Sequence, residues 1–164
     1  TLLELGTGSG VISISIARES RDCIIFATDI SIKSILVAKQ NAEKFCCENI
    51  IFLTHDWNNE WLFPQVDYLI SNPPYVDKEK TSGKEEGIWY EPEKALFSND
   101  KGLSDLRLIL SKGKNYLNEN GKVYLEHAPD QYEELNKFAL ENGYLNFSNL
   151  NDLNGDKRVS IYQC

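Results

Sequence analysis

A glycine-rich turn set directly after a short apolar segment constrains this chain more than any other feature. Leu2 to Leu5 reads as a buried strand, and Gly6-Thr7-Gly8-Ser9-Gly10 turns it into the segment Val11 to Arg18. Such a turn after a buried strand opens the helix of a βαβ unit. Ile12, Ile14 and Ile16 alternate with Ser13 and Ser15, and that period of two, taken alone, favours a strand. A helix is expected nonetheless, because the next apolar run, Ile24 to Ala27, needs a crossover in order to lie parallel to the first.

The same alternation continues down the chain. Ser31 is the predicted N-cap of a helix reaching about Phe45, with Ile32, Ile35 and Leu36 on one face. Ile50 to Leu53 and Val66 to Ile70 are the third and fourth strands, and the polar stretch Asp77 to Glu93 is a long loop of the kind that is usually functional or mobile. Leu103, Leu106, Ile109 and Leu110 have helical spacing; the Asn118 to Gly121 cluster breaks it; Lys122 to Glu126 is a fifth strand. Tyr132, Leu135, Phe138 and Ala139 mark another helix, ended by Gly143. Asn154-Gly155 then parts Tyr144 to Leu150 from Arg158 to Tyr162 as a hairpin turn would. The expected fold is α/β, with a mostly parallel sheet and an antiparallel strand at its end.

At 164 residues, with 41% hydrophobic and 11% aromatic side chains, the chain is expected to form a single domain over 1–164. A formal charge of -8 argues against a general nucleic-acid surface, which needs clustered Lys and Arg, and favours a basic protein partner. No run approaches the roughly 18 apolar residues of a membrane span, so no membrane contact and a cytoplasmic location are expected. Cys23, Cys46, Cys47 and Cys164 lack metal-ligand spacing and are expected to be reduced thiols. The chain has no Met and starts inside an apolar segment, from which upstream sequence is expected.

Asn72-Pro73-Pro74-Tyr75 follows the fourth strand and offers acceptors for an NH2 group. Asn72 has a side-chain carbonyl oxygen, and the Pro73 carbonyl is freed from any helix ladder because Pro74 disfavours the α region before it. Tyr75 adds a flat face. An amino or amide nitrogen donating both hydrogens to such oxygens has its lone pair aimed one way, which suits attack on an electrophilic methyl group. A Pro-Pro turn with an Asn cap is the plainer reading.

Ligands of an open α/β sheet bind beyond the carboxyl ends of its strands, where Gly6, Gly8 and Gly10 lie. The dinucleotide fingerprint wants a third glycine where Val11 stands, so nicotinamide cofactors are disfavoured. Asp29 closes the second strand, where a carboxylate can accept both hydroxyl hydrogens of a ribose or merely cap the next helix. Asp56 and Trp57 follow the third strand, where an acid can meet an adenine amine and an indole can cover its ring.

Taken together, Glu4-Leu5-Gly6-Thr7-Gly8-Ser9-Gly10, Asp29, Asp56-Trp57 and Asn72-Pro73-Pro74-Tyr75 resemble the HemK/PrmC family of peptide chain release factor glutamine methyltransferases. Glu91-Pro92, Ala95-Leu96, Asp100-Lys101-Gly102-Leu103, Leu125-Glu126-His127 and Lys157-Arg158-Val159 resemble it too, whereas Ala128-Pro129 stand where that family usually has Gly. The resemblance implies a Rossmann-like fold with a seven-stranded sheet, S-adenosylmethionine as donor, and the glutamine of a release factor's Gly-Gly-Gln loop as acceptor. By similarity Gly6, Thr7, Gly8, Ser9, Gly10, Asp29, Trp57 and Asn72 bind the cofactor, and Asn72, Pro73, Pro74 and Tyr75 bind the glutamine. Asn72, Pro73 and Tyr75 would then carry the reaction, with His127 structural rather than a base. Two other functions stay open: methylation of an exocyclic base amine in RNA or DNA, for which similar tetrapeptides serve, and cofactor binding without turnover.

Overall fold

A computed structural model of the chain describes residues 1–77 and 97–163. The polar loop expected over 77–93 and the Glu91-Pro92 and Ala95-Leu96 pairs therefore lie, apart from Asp77, outside the described residues. Seven strands of the described part form one sheet in the order β3-β2-β1-β4-β7-β9-β8, and its last pair is antiparallel. The chain divides into two compact units, residues 1–72 with 116–122 and residues 73–115 with 123–164.

The first unit is the βαβ array that the glycine turn demanded: β1 (Leu2–Leu5), α1 (Val11–Glu19), β2 (Ile25–Asp29), α2 (Ile32–Lys44), β3 (Ile50–Thr54) and β4 (Val66–Ser71). β1 lies parallel between β2 and β4, with Leu5 level with Thr28 on one side and Ser71 on the other. β2 continues in parallel to β3, where Asp29 faces Thr54. Leu2, Ile14, Ala17, Ile25, Ala27, Ala42 and Cys47 fill a core between strands and helices. Ser31 caps α2 by accepting the Ser34 N–H at 3.3 Å. The face of that helix differs from expectation: Ile35, Ala38 and Ala42 are buried, while Ile32 and Leu36 are more than half exposed. Two alanines let the helix approach the sheet closely, and spacing alone could not separate that narrow stripe from its apolar flank.

Alternation in Val11–Glu19 has a specific cause. Ser13, with Ile14 and Ala17, belongs to the buried side of α1, so a polar residue stands where the core would otherwise want an apolar one. Ser15, outside the core, donates its hydroxyl to the Val11 carbonyl at 2.7 Å, the back-bonding that helical serines make.

The second unit carries the short parallel pair β5 (Val76–Asp77) and β6 (Phe97–Ser98), then α3 (Asn99–Gly102), α4 (Ser104–Gly113), α5 (Tyr132–Glu141), β8 (Asn146–Asn151) and β9 (Lys157–Gln163). Leu106, Ile109 and Leu110 of α4 are buried, as are Leu135 and Ala139 of α5. Fully buried Tyr144 donates its hydroxyl to the Leu110 carbonyl at 2.8 Å, so its polar tip is satisfied inside the core.

Several boundaries move by a residue or two, and two differences have a visible cause. β7 spans Leu117–Glu126 rather than beginning at Lys122, and it passes through Asn120 in a left-handed conformation (φ 63°) just before Gly121. Asn tolerates that region, so the cluster that reads as a break becomes a bend within one strand. β8 and β9 are joined through residues 152–156: the Asp152 carboxylate accepts the N–H groups of Asn154 at 2.9 Å and Asp156 at 3.1 Å. Asn154-Gly155 is the tip of that longer loop. Among the described residues, no helix is long and apolar enough to cross a membrane, and Cys23, Cys46 and Cys47 are free.

Candidate active site

In the first unit, the strand register brings the ends of β1, β2 and β4 to one level, and the residues singled out from the sequence follow each of them. β1 is flanked by strands reached in opposite directions, so its carboxyl end is the place where the strand order reverses.

The turn after β1 is held from below and from the side. Thr7 N–H donates to the Thr28 carbonyl at 2.8 Å, and Gly10 N–H closes the turn on the Thr7 carbonyl at 2.9 Å. Gly6, Gly8 and Gly10 all have φ between +56° and +84°, where a side chain would be strained. A Cβ on Gly6 would lie 3.2 Å from the Trp57 ring and 4.0 Å from the Asn72 carbonyl oxygen, so the turn, the indole and the end of β4 converge. A Cβ on Gly8 would meet no atom within 4 Å, so that side of the turn is open.

Asp29 is more than a helix cap. One carboxylate oxygen accepts the Gly8 N–H at 2.9 Å and the other accepts the Ser31 N–H at 2.8 Å, which fixes the carboxylate beside the open glycine. Each oxygen keeps a lone pair for a hydroxyl. These residues fit a nucleoside-bearing cofactor: a backbone cradle with an open face, a fixed carboxylate for a ribose, and a half-buried indole next to the cradle. Asp56 accepts the Asn58 backbone and side-chain N–H groups at 2.9 and 2.8 Å on one oxygen.

Glu4 went unremarked in its own right as a sequence feature and proves central. It is buried, and one of its oxygens accepts the Thr7 hydroxyl at 2.6 Å and also the Ser13 hydroxyl. The carboxylate thus ties β1 to the turn and to the first turn of α1. The polar Ser13 inside an apolar alternation is the signal that could have exposed this. Burial raises the Glu4 pKa above the usual 4.5, against the lowering pull of the Ser13 and Thr7 hydroxyls.

A carboxyl raised in the fold contributes stability that is full below 4.5 and is lost as pH rises through the folded value. Glu4→Gln keeps an acceptor oxygen without the charge. Urea unfolding is therefore expected to show the native chain losing stability relative to Glu4→Gln as pH climbs toward neutrality. A difference between the two that does not vary with pH would contradict this.

Asn72 is exposed where β4 ends. The tetrapeptide continues into the second unit, where Pro73 and Pro74 are buried and Tyr75 is half-buried. The Tyr75 hydroxyl donates to Glu126 Oε1 at 2.9 Å, and its carbonyl accepts the Gln131 side-chain amide at 2.9 Å. Burial, then the Glu126 charge, push the Tyr75 phenol up to about 12, so it stays protonated as a donor. Arg158 pairs with Asp152 at 3.0 Å through Nη2. Glu126 and Gln131 meet Tyr75 only through the fold, so no local spacing marks the contact, although Leu125-Glu126-His127 stands among the family-like motifs.

His127 is fully buried, with Nδ1 2.8 Å from the Ala128 carbonyl and Nε2 2.8 Å from the Ser160 hydroxyl. Burial lowers its pKa, and both nitrogens are occupied in the second unit's own packing. Among the described residues, no cluster of three or more His, Cys, Asp or Glu is arranged to hold a metal.

The family model of the methyltransferase small domain matches residues 1–101. A "bifunctional methyltransferase" of Rickettsia conorii is 39% identical over 163 residues, covering 98% of this chain and 31% of that protein. The "release factor glutamine methyltransferase" of Escherichia coli is 31% identical over 160 residues, covering 98% of this chain and 58% of the relative. The chain thus spans less than two thirds of the length of either protein. Among solved structures, a methyltransferase from Pyrococcus furiosus superposes with a TM-score of 0.73 at 20% identity, over 99% of this chain and 74% of that one.

Proposed function

The chain belongs to the methyltransferase small-domain family, in which it resembles the HemK/PrmC enzymes and uses S-adenosylmethionine, and from that premise we propose that it methylates the side-chain amide nitrogen of a glutamine. The acceptor is the glutamine of the Gly-Gly-Gln loop of a peptide chain release factor, and the reaction supports translation termination in the cytoplasm. The observation that carries this reading is the placement of Asn72: exposed at the end of β4, with its backbone carbonyl beside the glycine cradle. Relatives named for the same reaction over nearly the whole chain support it.

A carboxamide nitrogen is a poor nucleophile because its lone pair is delocalised into the carbonyl. The Asn72 side-chain oxygen and the Pro73 carbonyl accept its two hydrogens, which orients the nitrogen and favours the localised form. Tyr75 packs on the planar amide, and a phenol pushed up to about 12 does so as a neutral ring. Gly6 to Gly10, Asp29 and Trp57 hold the cofactor, which when bound supplies an electrophilic methyl group. Excluding bulk water from the two reacting centres adds to the rate.

Mass spectrometry decides the matter. A purified bacterial release factor, incubated with the full-length protein and S-adenosylmethionine, is expected to gain one methylene on the loop glutamine and nowhere else. An unmodified release factor, with labelled methyl appearing instead on RNA or DNA, would overturn the assignment in favour of an exocyclic base amine. Cofactor binding with no transfer to any of these would reduce the protein to a binding module.

A further inference from the structure

Tyr75 is held at both ends by parts of the second unit that belong to separate segments. At the phenol end, Glu126, the last residue of β7, accepts the hydroxyl at 2.9 Å. Arg158 of β9 lies alongside, its carbonyl accepting the N–H of His127, the residue after Glu126, at 3.0 Å. The Arg158 guanidinium is clamped by Asp152, with Nη2 at 3.0 Å and Nε at 3.3 Å from one carboxylate oxygen. At the backbone end, the Gln131 side-chain amide donates to the Tyr75 carbonyl at 2.9 Å while its oxygen accepts the Ala128 N–H at 2.9 Å. Gly102, at φ +82°, comes so close that a Cβ there would lie 2.1 Å from the Tyr75 carbonyl oxygen.

A tyrosine whose only task was to fill space would need one of these contacts. Here the side chain cannot swing away without breaking the charge-assisted bond from its hydroxyl to Glu126, and its backbone cannot shift without breaking the bond from the Gln131 amide. We infer that Glu126 is a positioning residue for methyl transfer, holding the Tyr75 hydroxyl and with it the ring against the acceptor amide. The inference rests on the reading that Tyr75 faces the acceptor. It goes beyond that reading by giving the end of β7 a part in the chemistry through Glu126.

The test is a double-mutant cycle in the full-length protein, with a purified release factor as acceptor. Glu126→Ala and Tyr75→Phe each break the same bond, so each is expected to lower kcat by about 10- to 100-fold, with the affinity for S-adenosylhomocysteine changed less than about twofold. The double variant should be no worse than either single one, because the second change removes nothing further. Glu126→Gln, which retains an acceptor oxygen, should restore most of the lost kcat, and this separates positioning from a general loosening of β7. Multiplying defects in the double variant, or full turnover in Glu126→Ala, would overturn the inference. If Tyr75→Ala itself left turnover intact, the underlying reading of Tyr75 would fall instead, so the two failures are distinguishable.

Discussion

Replacing Asn72 by Ala is expected to lower methyl transfer by about 100- to 1,000-fold while changing the dissociation constant for S-adenosylhomocysteine by only a few-fold. The substitution removes the carboxamide that orients the acceptor nitrogen. It leaves the backbone carbonyl, which is the atom of Asn72 that lies beside Gly6. Because the residue is exposed, truncation opens no cavity and stability should stay within about 0.5 kcal/mol of the native chain. Single-turnover kinetics on a release factor would read the rate and calorimetry the affinity. Retained turnover in Asn72→Ala would remove this residue from the reaction.

Asp29→Ala should produce the opposite split. The carboxylate accepts backbone N–H groups from Gly8 and Ser31, so its loss unties the cradle as well as removing the ribose acceptor. Hydrogen bonds to a charged group are worth about 1.5–3 kcal/mol each, which puts the expected loss of cofactor affinity at about 100-fold or more. Asp29→Asn retains one acceptor oxygen and should fall between. Calorimetry with S-adenosylhomocysteine giving an unchanged affinity for Asp29→Ala would reject the ribose role.

How far the sequence announced this molecule depended on how local each feature was. The glycine turn, Ser31 as a cap and the presence of β1, β2 and β4 are decided within a few residues, and they were readable. The seven-stranded sheet followed from the alternation of elements together with the HemK/PrmC resemblance. The buried stripe of α2 was not readable, because Ala38 and Ala42 yield to Ile32 and Leu36 in any apolar count although only the alanines permit close approach. Nor was the support around Tyr75: Glu126 and Gln131 stand 51 and 56 positions away along the chain. Glu4 lay within a motif already noticed, yet its partner Ser13 was disguised by a period of two that pointed to a strand.

Thr7 spends its hydroxyl hydrogen on the strand beneath it. Although it stands in the middle of the glycine turn, it has none left to give upward, and its neighbours Gly6 and Gly8 have no side chain at all. Over that stretch, whatever the turn recognises it recognises with main-chain atoms, which no substitution can recode. Divergence at these positions should therefore alter how stiffly the turn is held rather than which molecule it admits, and changes in selectivity should arise from the ends of other strands.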